Sequence, residues 1–305
     1  MLSSYQHGFA NGLAVRGMPV LNTHPGKVFW VSSTEGADGN PGTFQKPFAT
    51  IDYAVGRCTA SKGDLIMVKP GHVETVTAAA GLALDVAGIT IIGLGNKRNR
   101  PQINFTTAVG ASMKVSAANI WMEGFRFTGG IDALTNPIHA DAVDFTLVNW
   151  VWQDVTGEAT TVVLTTANAD RMELAFFEYD GATGAGTGAG IAIVGGDGIK
   201  IHDFIMDGNF SVGGIDIRTT ATTDLKVWNC VSFRTRNAAD IFIVDTITAS
   251  TGTIGPNLNL RLQDNAANIT EACTGATFVY FQPINIVNLA GESSMQTNIT
   301  ASTDA

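Results

Sequence analysis

Asn119-Ile120-Trp121-Met122-Glu123-Gly124-Phe125-Arg126-Phe127, Asp144-Phe145-Thr146-Leu147-Val148-Asn149-Trp150-Val151-Trp152 and Asp224-Leu225-Lys226-Val227-Trp228-Asn229-Cys230 are copies of one pattern. A small or Asx residue precedes a short β-branched or apolar run, a glycine or polar residue interrupts it, and aromatic residues follow. Related copies start near Gly88, Asp170 and Ile199, so the ladder occupies the stretch from Gly81 to Arg236. The marks before each run fall at 119, 144, 170, 197 and 224, at intervals of 25, 26, 27 and 27 residues. A period that drifts within the twenties predicts a solenoid, each repeat contributing two or three short parallel strands stacked about 4.8 Å above the last. The bias of parallel crossovers predicts a right-handed winding. Ile91, Trp121, Phe145 and Leu225 are expected to stack as inward columns.

Composition agrees with strands and turns. The 305 residues are 45% hydrophobic and only 15% charged, leaving Gly, Ser, Thr and Asn to supply most of the polar surface. A formal charge of −9 with no basic run argues against nucleic acid as a partner, because phosphate contacts need clustered Lys and Arg. No apolar run is long enough to span a bilayer, and anionic membranes are disfavoured by the same charge. The start lacks a charged n-region and an apolar h-region, so synthesis and folding in a cytoplasm are expected. Cys58, Cys230 and Cys273 form an odd set without metal spacing and are read as reduced thiols.

Outward from the ladder, four regions are expected. Residues 1–26, rich in Gly and Pro, form an extended arm with one or two short extended pieces. Phe9, Arg16, Met18 and His24 within it are candidate assembly contacts. Residues 27–80 form a cap and the first coils, with Phe48, Ile51 and Val55 on one face of a helix of about two turns and Thr50 at its N-cap. Residues 81–264 form the parallel β-helix, interrupted by a protruding loop at Gly181 to Gly190. Residues 265–305 are C-terminal strands and a polar tail after Gly291. The fold class is therefore all-β: a right-handed parallel β-helix with a short N-terminal helical cap and an extended N-terminal arm.

The segments Lys27-Val28-Phe29-Trp30-Val31, Asp38-Gly39-Asn40-Pro41-Gly42-Thr43, Pro47-Phe48-Ala49-Thr50-Ile51, Gly63-Asp64-Leu65-Ile66-Met67-Val68, Pro70-Gly71 and Glu74 resemble the entrance of right-handed parallel β-helix proteins of the pectate-lyase-like superfamily. The flanking Gly8-Phe9-Ala10-Asn11-Gly12, Gly17-Met18-Pro19 and Thr23-His24-Pro25-Gly26 are similar to the head of a group of tailed-bacteriophage virion proteins. The resemblance covers residues 5–130. It implies a structural virion component made in the host cytoplasm: a homotrimeric capsid decoration or short fibre that contacts other virion proteins such as the major capsid protein.

Catalytic motifs of the superfamily are missing. There is no Gly-His-Gly, Arg-x-Lys or Asn-Thr-Asp, and no Gly-x-Ser-x-Gly elbow. His7, His24, His72, His139 and His202 show no zinc-ligand spacing. Asp197, His202, Asp203 and Asp207 form the best local cluster, and Asp203 with Asp207 would suit paired-carboxylate chemistry in one groove. Against that, Asp197 and Asp203 fall on recurrent turn positions. The aromatic residues Trp121, Phe125, Phe127, Trp150, Trp152, Phe176, Phe177 and Tyr179 read chiefly as an internal stack. The expectation is thus a non-enzymatic virion scaffold without cofactor or metal. The alternative is a tailspike-like depolymerase or lyase acting on a bacterial surface polysaccharide through an acidic groove containing Asp203 and Asp207. A glycan-binding module without catalysis is the third reading.

Overall fold

The computed structural model describes residues 26–154, 159–181, 187–208, 210–234, 242–245, 247–261, 271–273, 277–281, 284–289 and 292–296, together with a two-stranded antiparallel hairpin of Leu13–Val15 and Met18–Val20. The chain is an all-β parallel solenoid with almost no helix. Val28–Val31, Leu65–Val68, Thr90–Gly93, Ile120–Glu123, Phe145–Asp154, Glu173–Asp180, Lys200–Asp207 and Leu225–Arg234 stack in that order in a 16-stranded sheet. Leu82–Leu84, Met113–Val115, Leu134–Ala140, Ala159–Thr165, Thr187–Ile193, Phe210–Ile217, Ile243–Asp245 and Glu271–Cys273 stack in an eight-stranded sheet. The pairings between these stacked strands are parallel.

The repeat signal comes from two columns of left-handed backbone that bracket each short strand. The first runs through Asn119, Asp144, Arg171, Gly198 and Asp224, and the second through Gly124, Asn149, Phe176, Asp203 and Asn229. The first column moves the expected marks from 170 and 197 to 171 and 198, because Glu173 pairs with Thr146 and with Lys200. Each left-handed residue re-aims the chain at a coil corner, a conformation tolerated best by Gly, Asn and Asp. At Gly124 a Cβ would approach the Gly93 carbonyl oxygen to 2.4 Å, so that corner admits only glycine. Side chains of the first corner bond from coil to coil. Asp170 Oδ1 accepts from the Asp197 amide at 2.8 Å, and Asp144 holds Arg171 through two bonds of 2.7 and 2.8 Å.

Between the corners one side of each strand faces a single core. Ile66, Ile91, Met122, Leu147, Leu174, Ile201 and Val227 form an unbroken buried column in register. Past the second corner the buried rings stack: Trp150 on Phe177 and Phe177 on Phe204, each with centroids 4.4 Å apart. Such contacts add about 0.5–1.5 kcal/mol per pair to the area buried. Trp121 departs from the expectation. It is out of phase with Ile91 and lies opposite Thr90 and Thr146 in register, 42% exposed.

The helix Ile51–Val55 is shorter than two turns. Thr50 caps it, accepting from the Tyr53 amide at 3.3 Å, and Ile51, Ala54 and Val55 are buried against the first strands. The motif residues of this entrance are used up by hydrogen bonds. Asp64 accepts from the Lys27 and Thr59 amides, Asp38 from the Ala49 amide, and Glu74 from the Ile51 amide.

Two other expectations are corrected. Thr187 to Gly190 do not protrude: they open the strand Thr187–Ile193, where a Cβ at Gly190 would meet the Gly214 oxygen at 3.0 Å, so small residues are what close stacking requires. Residues 182–186 lie outside the described residues. Glu292–Gln296, expected in a polar tail, pairs antiparallel with Ile284–Leu289 and so turns back on the parallel sheet.

Candidate functional site

The second corner column projects onto the outside of the larger sheet, where two hollows adjoin. The first, about 390 Å³, is lined by Arg100, Asn149, Val151, Phe176, Glu178, Asp203, Ile205 and Asn229, among others. The second, about 650 Å³, is lined by Lys97, Arg98, Arg126, Val151, Gln153 and Glu178. Val151 and Glu178 are common to both, which makes one continuous groove.

Register explains how these side chains meet. After the corner, Gln102, Arg126, Val151, Glu178, Ile205 and Val231 form one column, a single residue per coil. The adjoining outward column is Thr128, Gln153, Asp180 and Asp207. The 3-10 turn Lys97–Asn99 brings three cations to the rim within four residues. Arg100 reaches down to Asn149 Oδ1 at 2.6 Å, and Arg126 donates to Gln153 Oε1. Among the described residues none of Lys97, Arg98, Arg100 or Arg126 forms an ion pair with a carboxylate. Four of the chain's 18 basic side chains thus converge on one groove of a molecule with net charge −9. The expected acidic groove is therefore corrected to one with a cationic end.

Asp203 lines the first hollow from the corner, with φ +54. His202 Nδ1 bonds its Oδ2 at 2.7 Å, and Asn229 donates to Oδ1. The bond from His202, helped by that from Asn229, holds the Asp203 carboxyl below the usual carboxylate range. His202 itself is wedged in place: its Nε2 faces Glu173 Oε1 at 3.3 Å, and its ring lies on Trp228 with centroids 4.1 Å apart. Asp207 does not join Asp203. It lies in the outer column opposite Asp180, beyond Ile205. The carboxylate that shares the hollow with Asp203 is Glu178.

Phe176 stands out in this corner. Its neighbours in the column are Asn, Asp and Gly, yet a bulky aromatic residue takes φ +52 and leaves its ring 60% exposed on the hollow. Backbone strain of this kind is concentrated at functional sites. Phe125, Phe127, Trp150, Trp152, Phe177 and Tyr179 are core as expected, whereas Phe176 and Trp121 face out.

Elsewhere several titratable groups are tied into local pairs or buried. Asp141, bonded by Thr166, Asn168 and Lys114, is lowered to about 2. Burial raises Asp216 and Asp245 on the smaller sheet. Cys58 and Cys230 are free thiols, and burial pushes Cys58 up to about 12. Among the described residues no group of three or more His, Cys, Asp or Glu could hold a metal ion, and no helix is long and apolar enough to cross a membrane. Phe9, Arg16 and His24 lie outside the described residues, and Met18 lies in the second strand of the N-terminal hairpin.

No family profile and no curated protein matches the chain. Among solved structures, a rhamnogalacturonan lyase aligns over 89% of this chain and 78% of its own, with a TM-score of 0.54 and 18% identity. A GH136 lacto-N-biosidase from Eubacterium ramulus aligns over 86% of this chain and 68% of its own, with a TM-score of 0.50 and 14% identity. At these identities the likeness shows the fold alone, a parallel β-helix. The expectation of a non-enzymatic virion scaffold is corrected by these matches, since the solenoids that this chain resembles are carbohydrate-active enzymes. The physical reason is visible in the entrance motifs. Their hydrogen bonds build the first coils, so they mark the fold, while the head motifs Gly8 to Gly12 and Thr23 to Pro25 lie outside the described residues.

Proposed function

We propose that this chain depolymerises an anionic polysaccharide by β-elimination in the groove between Arg100 and Arg126. The observation that carries the reading is the meeting of four cations, none in an ion pair among the described residues, with Glu178 and Asp203 on one concave surface. Cations in a low-dielectric groove attract and orient a uronate carboxylate. By neutralising it they also acidify the carbon-bound proton beside it.

Glu178, at the centre of the groove, takes that proton. The electron pair left behind forms the carbon–carbon double bond, the glycosidic carbon–oxygen bond breaks, and the departing oxygen is protonated by solvent. Asp203, held ionised, accepts from a sugar hydroxyl, and a pyranose face rests on Phe176. The reading carries with it a right-handed winding, the sense that parallel crossovers favour, and a capping role for the helix Ile51–Val55 over the first coil. Fold likeness to carbohydrate-active enzymes supports an enzymatic reading without specifying the linkage.

The test is incubation of the purified chain with uronate-containing polysaccharides while ultraviolet absorbance of the unsaturated product and chain length are followed. Shortening with new absorbance is expected, lost in Glu178→Gln. Shortening without absorbance would replace elimination by hydrolysis, and no shortening of any anionic glycan would sink the proposal.

A further inference from the structure

A third hollow lies on the outer surface between the two corner columns, beside the strand Ile120–Glu123. It encloses about 400 Å³ and is lined by Trp121, Thr90, Thr146, Asn119 and Asp144, with Gly88 at its lip. Trp121 leaves the core phase here because it lies opposite Thr90 on one coil and Thr146 on the next, and its ring stays 42% exposed. The indole Nε1 donates to Glu123 Oε2 at 3.2 Å, which satisfies the polar edge of the ring. The hydroxyls of Thr90 and Thr146 and the carboxamide of Asn119 make no hydrogen bond to another described residue's side chain or backbone. Five such features, a flat apolar ring rimmed by two hydroxyls, a carboxamide and a carboxylate, are the complement of a pyranose with its apolar face and equatorial hydroxyls.

Charge separates this hollow from the groove. No Lys or Arg lines it. Among the described residues the one cation bonded to its carboxylate is Arg171, which already grips Asp144 through Nε and Nη2, and Glu123 is beside the ring. A uronate entering here would bring a third carboxylate to a site whose single cation is committed, at a cost that an uncharged sugar avoids.

We infer that the Trp121 hollow is a binding subsite for an uncharged pyranose, distinct in charge preference from the Arg100–Arg126 groove. Trp121 is level with Thr146, and Asn149 on the wall of the groove lies three residues further along the same strand. One coil spacing and three residues of strand put Trp121 and Asn149 roughly 11 Å apart at their Cα atoms. A glycan of a few sugars spans that distance, so a polymer that carries both neutral and acidic sugars suits the two sites. The inference rests on the proposed function only in taking this wall as glycan-binding.

The experiment follows the indole N–H resonance of Trp121, assigned by its disappearance in Trp121→Ala, while cellobiose, lactose or digalacturonate is added to the full chain. Saturable shifts with a neutral disaccharide and none with digalacturonate are expected. In isothermal titration calorimetry, which does not depend on the indole signal, Trp121→Ala should weaken neutral-sugar binding at least about tenfold. Thr146→Val, which keeps the shape and removes one hydroxyl, should weaken it without altering the fold. Absence of any shift up to the solubility limit of both neutral sugars, or a stronger response to digalacturonate, overturns the subsite. Arg126→Ala serves as the separate arm. Loss of polyanion binding in that variant with the Trp121 response intact upholds the two-site arrangement, and an intact Trp121 response when no anionic glycan is cleaved leaves the subsite standing while the lyase reading fails.

Discussion

Replacing Phe176 by asparagine separates the two roles a residue at this corner can have. The corner holds Phe176 at φ +52, and the same column holds Asn149 and Asn229 at φ +54 without strain beyond what asparagine tolerates. Relieving a bulky residue of the left-handed region returns about 1–2 kcal/mol. The loss on the other side is burial. With the side chain 60% exposed, the covered part of a surface of roughly 200 Å² comes to about 80 Å², or about 2 kcal/mol. The two terms offset to within about 1 kcal/mol, so Phe176→Asn should unfold within a few degrees of the parent in scanning calorimetry. Turnover of an anionic glycan should fall by roughly tenfold as the ring contact is lost. A loss of several kcal/mol in stability with turnover unchanged would show that Phe176 plugs the corner and meets no sugar, and the reasoning from strain to function would be refuted.

Arg126→Ala is expected to weaken polyanion binding by roughly tenfold at low salt, with the gap closing as ionic strength rises, which titrations at two salt concentrations will reveal. Asp245 is fully buried, and burial raises its carboxyl pKa. A raised folded-state pKa in an acid removes stability as pH climbs through the range between the unfolded and folded values. Asp245→Asn should therefore stabilise the chain at neutral pH, with the gain vanishing in melts below the unfolded carboxylate pKa. Asp203 has the opposite sign. Its lowered pKa contributes stability above the unfolded value that is lost as pH falls through the folded one, and Asp203→Asn should flatten the acid limb of the stability profile. Cys58 and Cys230, both with thiols pushed up by burial, should resist alkylation at neutral pH in the folded chain and react on unfolding.

Much of the site was visible as residue types without being visible as a site. Lys97-Arg98-Asn99-Arg100 places three cations in four residues, a signal passed over in reading the chain as free of basic runs. Their meaning depends on Arg126, Glu178 and Asp203, which stand in three other coils and meet only through register. Asp203 and Asp207 look like partners in sequence, but the left-handed residue at 203 re-aims the strand and leaves Asp207 opposite Asp180. Nothing local distinguishes Trp121 or Phe176 from the buried Trp150 or Phe177. The difference is one residue of phase, and a one-residue change in a strand moves a side chain from core to solvent.

By itself the sequence determined the solenoid. Short β-branched runs and Asx or Gly corners repeating every 25 to 27 residues leave no other way to bury the apolar faces than on the coils above and below. The entrance motifs added a fold resemblance and, being spent on hydrogen bonds within the first coils, said nothing reliable about the work the molecule does. Only the tertiary structure decided which members of each repeat face outward and which coils bring them together. A groove made of one side chain per coil has no signature along the chain, because its neighbours in space are a full turn apart in sequence.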